Sequence, residues 1–127
     1  MARRIEMIEG SSVDAAIVEE VRQAVSDAER VLVILDSNHT HEHVLAELEL
    51  YAPMVKQGGY IAVMDTVVED MPGDAFPDRP WDRDDNPGTA LKAYLETDAG
   101  KRFEVDAELS DRLVLSVAPG GYLRATA

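Results

Sequence analysis

The sequence predicts an α/β fold, with a mostly parallel sheet flanked by helices and closed by an antiparallel hairpin at its carboxyl end. Three observations carry this expectation. Residues 31–35 and 60–64 are uninterrupted apolar runs with the length and β-branched content of strands buried on both faces. Between them, apolar residues recur at helical spacing. Polar or glycine-rich turns separate the segments, giving the order β-α-β-α-β-loop-α-β-β, and strands that alternate with helices form parallel sheets.

Each element has its own local reason. Residues 4–8 alternate apolar and polar and stop at Gly10-Ser11-Ser12, the pattern of a short strand and a turn. Ser11-x-x-Asp14 resembles a capping box with Asp in place of the usual Glu or Gln. Behind it Ile17, Val21, Ala24, Val25 and Ala28 fall on one helix face. The run 31–35 ends at Asp36-Ser37-Asn38, residue types that favour a helix start. Val44, Leu45, Leu48, Tyr51, Ala52 and Val55 trace the second helix, which Gln57-Gly58-Gly59 stops. The run 60–64 ends at Asp65. Residues 65–85 hold eight acids against two arginines, a local charge of −6, and Pro72, Gly73, Pro77 and Pro80 deny them regular structure. The expectation for 65–86 is therefore a long acidic loop or lid. Asn86 as cap and Pro87 in the first helical position open the third helix, with Leu91, Tyr94 and Leu95 on its apolar side. Residues 103–105 and 113–117 read as the closing strands, parted by the turn-prone Ser110-Asp111-Arg112.

Composition narrows the functional classes. The 127 residues, 46% hydrophobic, are one domain's worth of chain, enough to bury roughly two thirds of the unfolded surface. The absence of cysteine excludes disulfide scaffolds, thiolate metal sites and cysteine nucleophiles. Twelve basic against 25 acidic residues give a net charge of −13, which repels phosphate backbones and anionic lipid. No nucleic-acid partner is expected, whereas divalent cations and cationic ligands suit such a surface. No apolar run exceeds five residues, so no transmembrane helix is expected. Met1-Ala2-Arg3-Arg4 is basic, but Glu6 and Glu9 interrupt the apolar stretch a signal peptide needs, making a cytoplasmic location the expectation.

Two strand runs end in aspartate, and in open α/β sheets ligands bind beyond the carboxyl ends of the strands. If the strands are neighbours, Asp36 and Asp65 lie close together, and paired carboxylates suit a hard cation such as Mg²⁺. The alternative is that Asp36 caps the next helix and Asp65 merely starts the loop. His39, His41 and His43 are the chain's only histidines. On a helix His39 and His43 share a face while His41 points elsewhere. No H-E-x-x-H accompanies them. His39, nearest the strand end, can act as a general base or be simply solvated. Gly10-Ser11-Ser12 can hydrogen-bond a ligand or only cap a helix. Trp81 can touch substrate from the lid or pin the loop to the core. Neither G-x-G-x-x-G nor G-x-x-x-x-G-K occurs.

Several blocks resemble the cephalosporin hydroxylase / rhamnosyl O-methyltransferase family. They are Ile8-Glu9-Gly10-Ser11-Ser12-x-Asp14, then Leu35-Asp36-Ser37-Asn38-His39-x-His41-x-x-Val44-Leu45, then Tyr51-Ala52-Pro53-Met54-Val55. Gly59-Tyr60, Asp65-Thr66, Pro80-Trp81, Asn86-Pro87 and Pro119-Gly120-Gly121-Tyr122-Leu123 continue the agreement over nearly the whole chain. The resemblance implies a Rossmann-like methyltransferase sheet truncated to its carboxy-terminal half, one partial domain over residues 1–127. It implies use of S-adenosylmethionine, often with Mg²⁺, and methyl transfer to a hydroxyl of a small molecule or sugar. By position, Asp36 and Asp65 match metal-ligand aspartates at the ends of the family's fourth and fifth strands. Gly10, Ser11 and Ser12 match a turn that lies against the cofactor, and His39 matches a histidine near the metal that faces substrate or acts as base. Asp36 and His39 are the residues it marks as catalytic.

Two departures qualify that reading. Met64-Asp65 stands where the family has Glu-Asp, replacing an expected carboxylate by a thioether that Mg²⁺ does not choose, unless Thr66, Glu69 or Asp70 compensates. The family's first two strands, with the glycine-rich loop and the ribose-binding acid, have no counterpart in these residues. Their loss leaves an edge beside 31–35, for which a compacted five-stranded sheet or a symmetric homodimer is expected. A chain so reduced is weak or inactive on its own. A non-catalytic remnant that binds a ligand or partner is the alternative. Hydroxylation is a third reading, since iron oxygenases need two histidines and a carboxylate and Asp36, His39 and His43 are of those types.

Overall fold

The structure is a computed structural model, and it describes residues 4–127. The helices are α1 (Ala15–Ala24), α2 (His41–Tyr51), α3 (Pro87–Glu96) and α4 (Ala107–Leu113). The strands are β1 (Leu32–Leu35), β2 (Tyr60–Val63), β3 (Phe103–Val105) and β4 (Tyr122–Ala125), and they form one four-stranded sheet in the order β1-β2-β4-β3. β1 and β2 run parallel in the register Leu35 to Val63. β4 is antiparallel to both β2 and β3, so β1, β2 and β3 point one way and β4 the other.

One face of this sheet carries the core. Val33 and Leu35 of β1, Ile61 and Val63 of β2, Leu123 and Ala125 of β4 and Phe103 of β3 pack under Val44, Leu48, Ala90, Leu91 and Tyr94 of α2 and α3. Alternation along a strand sends the remaining side chains to the other face. Leu32 and Ile34 there are 62% and 60% exposed, so β1 is covered on one face only and the expectation of burial on both is corrected. β2, in mid-sheet, comes closer to that expectation: Ile61, Ala62 and Val63 are all buried.

Local chemistry sets the ends. Asp14 caps α1 by accepting from the Ala16 N–H at 2.8 Å, while Ser11 contributes only its carbonyl, to the Asp14 N–H. Asn86 caps α3 by accepting from the Gly88 and Thr89 N–H groups, with Pro87 in the first turn as expected. α2 starts later than its sequence suggested, at His41, after Asn38 has accepted from the Thr40 N–H.

Three further expectations fail. Residues 4–8 form no strand, and Ile5 and Met7 are exposed. Residues 113–117 are not the last strand: α4 runs to Leu113, capped by the Asp106 carboxylate on the Leu109 N–H. The last strand is instead β4, which enters the sheet through Gly121, where a Cβ would sit 2.2 Å from the Val63 carbonyl oxygen. Consequently β3 and β4 pair antiparallel but are joined through α4 rather than a tight hairpin turn. The five-stranded compacted sheet is likewise not formed among the described residues, where β1 is an edge strand. Among these residues no helix is long and apolar enough to cross a membrane.

Leu48, fully buried between the sheet and α3, is the test of this core. Leu48→Ala should cost about 2–5 kcal/mol, read as a lower urea midpoint with an unchanged slope.

Candidate functional site

The parallel register builds the site. Leu35 and Val63 end their strands side by side, and the Met64 N–H donates to the Leu35 carbonyl at 3.0 Å, carrying the pairing one residue further. Asp36 leaves β1 at that point. Asp65 leaves β2 with φ +54°, a left-handed turn that starts a short 3₁₀ segment over Thr66–Asp70. Aspartate tolerates this conformation better than most residues. The turn is held by the Thr66 hydroxyl, which donates to the Pro119 carbonyl at 2.8 Å.

His39 joins them from the loop before α2. Its Nε2 lies 2.6 Å from Asp65 Oδ2, and one ligand atom from each of Asp36, His39 and Asp65 lies within 4.8 Å of the others. Asp36 is exposed while His39 and Asp65 are half-buried, so the cluster opens on one side. Trp81 leans on His39 with ring centroids 5.1 Å apart and planes tilted by 31°, and Phe76 backs Trp81 at 4.6 Å. The Arg79 guanidinium lies 5.9 Å from the Trp81 ring centroid. Trp81 therefore anchors the acidic loop, not to the core but to a residue of the cluster.

The other two histidines go elsewhere. The His41 ring meets Thr89 Oγ1 through Nδ1 at 2.8 Å, and its backbone N–H donates to Asp85 Oδ1. His43 Nε2 lies 3.0 Å from Ser12 Oγ and 3.5 Å from Glu47 Oε1. With His43 so engaged, the tight group has one histidine and two carboxylates, not the two histidines and one carboxylate that the hydroxylase reading wanted.

Ser12 is tied down by both its polar groups: its hydroxyl meets His43, and its carbonyl accepts from the Tyr51 hydroxyl at 2.8 Å. Ser11 is exposed, and Gly10 adopts φ +152°. The turn is nonetheless linked to the same rim through His43, whose Nε2 meets Ser12 and also lies 3.5 Å from the hydroxyl of Ser37, next to Asp36; Ser37 in turn donates to Glu47 Oε1 at 2.8 Å. Met64 lines the opposite, open face of the sheet with Ile34 and Ala62. The acids proposed to compensate for it do not join the cluster: Glu69 Oε2 accepts from the Asn86 side-chain amide at 2.7 Å and from the Asp84 N–H at 3.0 Å.

That last contact organises the loop. Asn86 is fully buried, caps α3, and donates to both Glu69 and the Asp82 carbonyl at 2.9 Å. Asp82 and Asp85 pair their backbones just below Trp81. Sequence reasoning read Asn86 as a cap and missed its second role. The signal was the acid seventeen residues earlier, which no local pattern links to it.

The family model for rhamnosyl O-methyltransferase/CmcI matches residues 1–126. The chain belongs to that family. Rhamnosyl O-methyltransferases of Mycobacterium tuberculosis and Mycobacterium bovis are each 32% identical to it over 120 residues, 91% of this chain and 45% of theirs. The Mycobacterium leprae protein of that name is 31% identical over 118 residues, 91% of this chain and 48% of its own. The chain thus spans less than half the length of the relatives it matches. No solved structure matches.

The Asn86 amide and the Asp84 N–H hold the Glu69 carboxyl below its ordinary range. A lowered folded pKa contributes stability above the unfolded glutamate pKa and loses it as pH falls through the folded value. Glu69→Gln should therefore flatten the acid limb of the stability profile, with a smaller drop in urea midpoint between roughly pH 5 and pH 3 than the parent chain shows. Asn86→Ala should cost at least the ~1–2 kcal/mol of a lost cap at neutral pH.

Proposed function

We propose that these residues form the acceptor-activating part of an S-adenosylmethionine-dependent O-methyltransferase, with Asp36 and Asp65 holding a divalent cation and His39 beside them as base. The substrate class is a hydroxyl of a small molecule or sugar. The observation that carries the reading is the convergence of Asp36, His39 and Asp65 within 4.8 Å at the carboxyl ends of two adjacent parallel strands. Family membership supports it, and so do the names of the mycobacterial relatives. In this reading the four strands are the carboxy-terminal half of a Rossmann-like methyltransferase sheet.

The donors fit a metal ion. The Asp36 and Asp65 carboxylate oxygens are hard ligands, and the exposed side at Asp36 leaves room for water or a substrate oxygen. A divalent ion bound there would lower the pKa of a coordinated hydroxyl. The chain's own residues do the rest. Asp65 accepts the His39 Nε2 proton and fixes the ring, which leaves the Nδ1 lone pair to take the acceptor's proton. Trp81 packs against that ring and Phe76 backs Trp81, which holds the ring in place.

The described residues do not by themselves fit the whole cofactor. Ser12 is held by internal bonds, and these residues carry no glycine-rich loop for the methionine end. The engagement of Ser12, with Met64 on the far face, favours the second reading, a domain that binds a ligand or partner without turnover.

Trp81 is the only tryptophan, so its emission reports the cluster directly. Titration with Mg²⁺ or Mn²⁺ should change that emission saturably and give matching calorimetric heat. Asp65→Asn should weaken binding on the order of tenfold or more, while Glu69→Gln leaves it unchanged. Silence in both measurements with both ions would remove the ion site. Heat with the ion but none with S-adenosylmethionine, alone or together, would favour the non-catalytic reading.

A further inference from the structure

We propose that His43 and Glu47 are positioning residues that hold the Gly10–Ser12 turn and the Asp36 end of β1 in one frame. They act through two serines, Ser12 in the turn and Ser37 next to Asp36. α2 carries His43, Glu47 and Tyr51 four residues apart, so the three side chains follow one another along one face. Each meets a segment outside the helix. Ser37 donates to Glu47 Oε1 at 2.8 Å, and the Tyr51 hydroxyl donates to the Ser12 carbonyl at 2.8 Å. His43 Nε2 stands between them, 3.0 Å from Ser12 Oγ and 3.5 Å from both Ser37 Oγ and Glu47 Oε1. Ser12 precedes α1 and Ser37 follows β1, so one imidazole nitrogen spans segments that a helix and a strand separate along the chain.

Hydrogen-bond chemistry orders these contacts. The Glu47 carboxylate only accepts, and Ser37 gives its proton to it. A lone pair on His43 Nε2 would face the lone pairs of Glu47 Oε1, so these partners assign the proton to Nε2, which donates to Ser12 Oγ. Burial, and after it the Glu47 charge, push the Tyr51 phenol above its ordinary range and keep it a donor to the Ser12 carbonyl. Packing does not call for an acid at position 47. The residues around it on α2 that are buried, Val44 and Leu48, belong to the core, and Glu47 Oε2 finds no partner among the described residues. What the acid supplies, and a leucine cannot, is an acceptor for Ser37 and a charge that keeps the His43 proton on Nε2. Fixing Ser37 fixes the backbone that carries Asp36, and an outer partner that holds a ligand residue in place strengthens its hold on an ion. As a contribution to ion binding the role rests on the reading proposed above; the link between the turn and β1 does not.

The test compares the parent chain with Glu47→Leu, Glu47→Gln and His43→Phe by ¹⁵N magnetic resonance without ion, at a pH well above the ordinary histidine range. Each chain is then titrated with Mn²⁺, read from Trp81 emission. The parent imidazole should carry its proton on Nε2. Glu47→Leu should shift that proton toward Nδ1 and lower the backbone order parameters of residues 10–13 and 36–38 together, to below about 0.6. Its urea midpoint should hold or rise, while Mn²⁺ affinity falls on the order of tenfold. Glu47→Gln keeps an acceptor for Ser37 and should restore the order at 36–38 and most of the affinity. His43→Phe should loosen 10–13 and leave 36–38 ordered, because the Ser37–Glu47 bond survives it. A proton on Nδ1 in the parent would overturn the inference. So would a Glu47→Leu chain whose midpoint falls, whose two segments stay ordered, or whose Mn²⁺ affinity equals that of an ion-binding parent, and so would Glu47→Gln as loose as Glu47→Leu. A parent that ignores Mn²⁺ removes the ion site alone, and the imidazole and order measurements still decide the link.

Discussion

The whole rim depends on one register. β1 and β2 lie parallel with Leu35 beside Val63, and the Met64 N–H adds a further bond to Leu35. Parallel neighbours end at the same edge of a sheet, so the first polar residues beyond them are forced together. Side chains alternate with a period of two, and a slip of one residue would exchange the two faces. Leu35 and Val63 would then leave the core, and Asp36 and Asp65 would lose their common rim. The buried side chains of α2 and α3 therefore hold the site's geometry without touching it.

Two like charges so close are unfavourable unless something offsets them. His39 does so on one side, by its short bond to Asp65, and the loop then fixes His39. The loop is itself held at a distance, by Asn86 on Glu69 and Asp82 and by Asp85 on the His41 N–H. A segment with eight acids and two arginines has a high intrinsic repulsion, and these bonds answer it by giving particular carboxylates particular N–H donors. The order here is polar rather than apolar, which is why a stretch that reads as featureless acid carries a placed tryptophan.

Elements governed by local chemistry were legible. Asn86-Pro87 declared the start of α3, the runs at 31–35 and 60–64 declared the first two strands, and strand ends in aspartate declared the rim. Failures came where neighbours decide. Residues 113–117 are apolar enough for a strand but find no partner, whereas Tyr122–Ala125 includes an arginine and becomes the strand because Gly121 lets it approach Val63. Burial of β1 was overestimated for the same reason: an apolar run announces that a face can be covered, not that something covers it. The His39–Asp65 bond lay beyond sequence because it depends on the left-handed turn at Asp65.

Glu47 shows how the remaining turn is coupled to this rim. It sits in mid-helix, 2% exposed, with Oε1 accepting from Ser37 and Oε2 buried without a partner. A buried carboxylate short of one hydrogen bond is costly, and an apolar residue of similar volume would pack there at lower free energy. Its contacts account for what it does in place. Through Ser37 it fixes the residue beside Asp36, and next to it His43 holds Ser12 and with it the Gly10–Ser12 turn. One acid thus ties a segment outside the sheet to the end of β1. An apolar replacement would leave α2 intact and let that turn move independently of Asp36, so stability and site geometry pull in opposite directions at this position.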